Sequence, residues 1–96
     1  MLSQRDIENK LTEIKPILTG KFFVDRIGYF GSYADGTATE NSDLDILVEF
    51  TQPLGWEFFD LETLLEKKLQ LKIDLVSAKA LKPQLKEIIL SQVRFV

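Results

Sequence analysis

The chain contains no cysteine and no histidine. That removes disulfide frameworks, thiolate metal sites, imidazole-ligated zinc and imidazole general bases, so any catalysis must run on carboxylates, hydroxyls, amines and bound ions. Long hydrophobic runs are absent too. No stretch approaches membrane-spanning length, and the opening MLSQRDIENKL alternates charged and apolar residues where a signal peptide would carry a continuous apolar region. The cytoplasm is the expected location, with no membrane partner. Nor is there a strong charge excess of one sign: 12 basic against 15 acidic residues leave a net charge of −3, which argues against direct nucleic-acid binding driven by phosphate neutralisation. Internal repeats, low-complexity tracts and linkers are missing as well.

What is present fits one ordinary folded domain over residues 1–96, with 45% hydrophobic and 28% charged positions. Ile7, Leu11, Ile14 and Leu18 recur at helical spacing behind Ser3 and Asp6, which are placed as the two ends of a capping box. This first helix is expected to break near Pro16 and to stop at Gly20. VDRIGYF reads as a strand running into Gly31, and LDILVEF at 44–50 as a second. Beyond Gln52, Pro53 and Gly55, WEFFDLETLLEKKLQ carries apolar residues at 58, 61, 65 and 69 and reads as a helix, with Trp56, Phe58 and Phe59 expected to pack in the core or against a partner. KIDLV at 72–76 reads as a third strand. The tail from Lys79 to Val93 reads as a last amphipathic helix with Pro83 in its first turn and Lys79, Lys82 and Lys86 on a solvated face.

This order implies an α+β fold. The second and third strands are joined through a helix, which favours a parallel right-handed crossover, and the first two strands are then antiparallel. The result is a small mixed sheet of three strands, or four if a further pairing forms, with helices packed on it. Such a layout brings the Gly31-Ser32 turn beside the start of the second strand.

Alternation along that strand sets Asp43, Asp45, Leu47 and Glu49 on one face and Leu44, Ile46, Val48 and Phe50 on the core face. The two aspartates stand roughly 7 Å apart, close enough to share an ion, and they repel unless something cationic lies between them. Asp74, opposite in sense to Ile73 and Leu75, joins them if the third strand neighbours the second. Three hard oxygen ligands suit Mg²⁺ or Mn²⁺, with phosphate and water completing the shell. Gly31 permits close backbone approach, Ser32 offers a hydroxyl and an amide, and a short helix starting there would aim free N–H groups at an anion. A triphosphate held between turn and carboxylates would undergo in-line displacement at phosphorus with two metal ions. Asn41 and Ser42 read as turn residues; Ser42 also counts as a nucleotide-site candidate, since its hydroxyl would orient a carboxylate.

Gly31-Ser32, ten residues, Asp43-Leu44-Asp45 and then Asp74 in an apolar strand resemble the signature of the nucleotidyltransferase superfamily with the DNA polymerase β palm fold, and in length the chain resembles its minimal (MNT) members. The resemblance implies Asp43, Asp45 and Asp74 as catalytic metal ligands, Gly31 and Ser32 as nucleotide-binding residues, and transfer of a nucleoside monophosphate, usually AMP from ATP, to a hydroxyl. It also implies an antitoxin that adenylylates, or simply binds and neutralises, a HEPN-domain ribonuclease toxin. The pattern departs at Asp35, where such proteins commonly carry arginine or lysine. Facing inward, its carboxylate would repel a triphosphate; facing water, it would complement the N-terminal end of a short helix.

Overall fold

In the computed structural model of the chain, which describes residues 1–96, the capping box forms as the sequence implies. Ser3 Oγ accepts from the Asp6 N–H and Asp6 Oδ2 accepts from the Ser3 N–H, both at 3.0 Å, fixing the start of α1 (Gln4–Glu13). Ile14 separates α1 from α2 (Lys15–Phe22), whose first turn holds Pro16, where a missing N–H is harmless. Gly20 does not end this helix: α2 runs on to Phe22 and is stopped by Phe23, which takes the left-handed conformation at φ 55°. The buried side chain of Phe22 accounts for the extension, because core packing outweighs the modest helix penalty of one glycine.

Strand β1 (Val24–Phe30) then leads through a single helical turn, α3 (Ser32–Asp35), to β2 (Leu44–Phe50). Helix α4 (Glu57–Leu69) crosses to β3 (Ile73–Ser77), followed by a 3₁₀ turn at Ala78–Ala80, α5 (Pro83–Gln92) and β4 (Arg94–Phe95). The sheet has four strands in the order β3-β2-β1-β4. β1 lies antiparallel to β2 and to β4, while β2 and β3 are parallel, as a helical crossover requires. A further detail differs from the sequence reading: the last helix starts at Pro83 rather than Lys79. The fourth strand that the sequence left open is Arg94–Phe95, at the sheet's edge. Gly28 makes that strand possible, since a Cβ there would sit 2.7 Å from the Arg94 carbonyl oxygen.

One face of the sheet packs on α1, α2 and α4 through Ile27, Tyr29, Leu44, Ile46, Val48, Ile73 and Leu75. Tyr29 also donates its hydroxyl to Glu8 on α1, and burial together with that bond pushes its phenol up to about 12. The opposite face is only partly open. Leu47, which alternation places among the acids, is fully buried in a second cluster with Ala78 and Ile89, where α5 covers the middle of the sheet. Burying a leucine this way contributes about 1.5–3 kcal/mol and leaves acidic positions only at the two ends of that face.

Candidate active site

The site begins where β1 ends. Gly31 has φ 71°, a conformation that L side chains rarely adopt, and a Cβ on it would overlap the Asp45 carboxylate. Glycine is therefore required twice over, for its backbone angle and for its missing side chain. Its carbonyl accepts from the N–H groups of Ala34 (3.0 Å) and Asp35 (3.1 Å), which closes α3 into one turn and leaves the Ser32 and Tyr33 amides without an intrahelical partner. Because Phe30 pairs with Asp45 in the β1–β2 register, the turn carrying half-buried Ser32 lies next to that carboxylate.

Across β2, Asp45 is in register with Asp74 on β3. Asp45 is partly buried; Asp74 and Asp43, the latter just ahead of β2, are exposed. The Asp45 carboxyl is held above its usual 3.8, first by desolvation, then by the negative charges of Asp74 and Asp43. As the side chains stand, no group of three or more His, Cys, Asp or Glu is arranged to hold a metal ion. The structure thus joins Asp45 to Asp74 and puts Asp43 within electrostatic reach of them. The fit to a hard cation is that of a two-carboxylate site: oxygen donors only, mutually repelling, with the remaining positions left to phosphate and water.

The other candidates are engaged elsewhere. Ser42 Oγ accepts from the Thr39 N–H at 2.9 Å, and the Ser42 N–H donates back to the Thr39 carbonyl, so its hydroxyl closes its own loop. Asp35 is exposed and stands at the end of α3 rather than its beginning. Its Oδ1 accepts from the Thr37 N–H (3.0 Å) and hydroxyl (2.6 Å), which holds the acid below its usual value. Phe58 packs edge-on against Phe50 while Trp56 and Phe59 are exposed. The largest cleft, about 490 Å³ between α2 and α4, is lined by Ile17, Lys21 and Asp60 among others and by none of the site aspartates. One residue of the site's surroundings carries no local signal: Gln4, whose side chain reaches α3 from 29 residues away.

A glycine-serine turn beside aspartates paired across two parallel strands fits the nucleotidyltransferase signature that the sequence resembles. Residues 8–96 match the nucleotidyltransferase domain family, and the chain belongs to it. Similarity narrows this to the minimal members. The protein adenylyltransferase MntA of Thermococcus cleftensis is 43% identical over 97 residues, covering 100% of this chain and 98% of that one. A solved structure named for a minimal nucleotidyltransferase superposes with a TM-score of 0.83 at 30% identity, over 97% of this chain and 95% of the other. A toxin–antitoxin complex with AMP-PNP superposes with a TM-score of 0.71 at 27% identity, over 98% of this chain and 72% of that one.

Proposed function

We propose that this nucleotidyltransferase transfers AMP from ATP to a hydroxyl of a partner protein, acting as a single domain and as the antitoxin of a HEPN-type toxin. The observation that carries the reading is the Asp45–Asp74 pair, with its raised acid, directly beside the Gly31-Ser32 turn. Its likeness to MntA supports the adenylyl donor and the protein acceptor, and the likeness to a toxin–antitoxin complex holding AMP-PNP supports the pairing.

In this reading Asp45 and Asp74, joined by Asp43 once a cation draws its exposed side chain in, would hold Mg²⁺ or Mn²⁺, two ions when both are bound, while Gly31 and Ser32 would hold the triphosphate. The ions supply neutralisation of charge on the phosphates and activation of the attacking oxygen. The acceptor oxygen forms a bond to the α-phosphorus, the bond from that phosphorus to its bridging oxygen breaks, pyrophosphate leaves, and the hydroxyl proton passes to water. Gly31 sets how near the backbone comes to the phosphates, and Asp45 is kept in place against it. Asp35 does not argue for a merely binding antitoxin, because Thr37 holds its carboxylate in the exposed loop.

The test is the intact mass of the co-purified partner after incubation with each nucleoside triphosphate and Mg²⁺. A gain equal to one or more AMP groups with ATP is expected. A partner that stays unmodified with every nucleotide yet remains neutralised would replace this reading by neutralisation through contact.

A further inference from the structure

The first turn of α1 and the single turn of α3 are joined by one side chain. Gln4 Nε2 donates to the Tyr33 carbonyl at 3.2 Å and to the Ala34 carbonyl at 2.9 Å, across 29 and 30 residues of sequence. Only an amide or a cation can donate two such bonds, and they satisfy carbonyls that a helix of four residues leaves open at its end. Gln4 is itself fixed. It is the first residue after the Ser3 cap, the capping box sets its backbone, and Ile7 and Leu11 pin the rest of α1 in the core. Ser3, Gln4, Ser32 and Tyr33 line one cleft of about 190 Å³ between the two elements.

We infer that Gln4 is a positioning residue for nucleotide transfer: it clamps α3 from behind and so holds the Gly31-Ser32 turn at a fixed place relative to Asp45. The inference rests on the proposed nucleotidyl transfer and adds a residue to it. An isolated turn of four residues is not stable in water, so its order must come from outside. On the strand side Tyr33, buried in the core, supplies it, together with the close approach of Gly31 to Asp45. On the far side the only side chain hydrogen-bonded to the Tyr33 and Ala34 carbonyls is Gln4. Gln4 itself touches neither phosphate nor metal in this arrangement, so its loss acts on how often the turn is ready to bind.

Gln4→Met keeps the length and removes the donors, Gln4→Glu keeps the shape and turns a carboxylate toward two carbonyls, and Val24→Ala removes buried methyls at the end of β1 away from Gly31. Two readouts separate the outcomes: backbone amide exchange of residues 33–37, and KM against kcat for ATP in transfer to the partner, with AMP-PNP titration as the direct binding measure. Faster exchange and a KM and Kd raised about tenfold are expected for Gln4→Met, the order set by losing two hydrogen bonds of ordinary net strength. Gln4→Glu should be worse, kcat should stay within about twofold, and Val24→Ala should lower the melting temperature with KM unchanged. Unchanged exchange in both Gln4 variants, or a KM that moves equally in Val24→Ala, overturns the clamp. Faster exchange with unchanged KM and Kd overturns its role in binding. Wild-type chain that binds no AMP-PNP overturns the transfer reading itself, and the role in binding falls with it, whereas the exchange data still report the clamp.

Discussion

Asp45 and Glu49 lie on the same strand and the same face, four residues apart, and their surroundings are opposite. Glu49 sits across from Arg26, whose Nε lies 2.5 Å from Glu49 Oε1, and its acid is held below the usual value by that bond, with further help from Lys86. Asp45 sits beside Asp74 and has no cation near it, and its acid is held above the usual value. Between them Leu47 is buried under α5. One end of the face is electrostatically complete within the chain. The other holds charges that oppose the folded state until something positive arrives. A fold has no structural use for unpaired carboxylates packed against a glycine turn, so that end is where function is to be sought.

The sharpest way to break the comparison is to remove charge at each end separately. Asp45→Asn and Asp74→Asn should each lower transfer by at least about a hundredfold, since in the proposed mechanism each removes a ligand for the cation on the transferring phosphate and with it several kcal/mol of charge stabilisation. Glu49→Gln should leave transfer unchanged. Single-turnover assays on variants with normal melting profiles decide it; aspartate variants at wild-type rates would leave the two ends chemically equivalent.

Gly31→Ala comes next. The added methyl must take a positive φ and displace the Asp45 carboxylate, so a loss of about 1–3 kcal/mol in stability is expected. Combining it with Asp45→Gly should recover part of that loss in denaturant titrations, because the overlap is then gone.

A smaller effect is the dependence of stability on pH, which has opposite sign at the two ends. Asp45 has a folded value above its usual 3.8, so its favourable contribution is complete below 3.8 and declines as pH rises through the folded value. Glu49 has a folded value below its usual 4.5, so its contribution is present above 4.5 and is lost as pH falls through the folded value. Melting curves between about pH 3 and pH 7 should therefore show Asp45→Asn removing the decline toward neutrality and Glu49→Gln removing part of the acid-side loss. The second change is small, because the Arg26 side chain is 52% exposed. Saturating Mg²⁺ with ATP should raise the melting temperature of wild type and do so less in Asp43→Asn/Asp45→Asn.

The smallest effect expected is at Asp35. With its carboxylate engaged by Thr37 in the exposed loop, Asp35→Arg should change nucleotide affinity by less than about twofold. A tenfold gain in calorimetric titration would mean that the carboxylate turns inward when nucleotide binds and restrains the site.

The sequence by itself determined whatever depends on neighbours a few residues apart. Alternation in LDILVEF and KIDLV, the Ser3–Asp6 box and the helical spacing of Leu61, Leu65 and Leu69 are local patterns, and they sufficed for the first three strands, the crossover and the meeting of Asp45 with Asp74. Period-two alternation says which residues share a face. It cannot say what covers that face, so Leu47 beneath α5 became visible only once Ala78 and Ile89 were seen packed on it. Only the tertiary structure decided that Gly20 would be carried through a helix, that Arg94–Phe95 would find Gly28, and that Gln4 would reach α3. Most of these depend on contacts between residues far apart in the chain. The energy of such a contact is set by whether two distant backbones are brought to within a few ångströms, and no short stretch of residues encodes that.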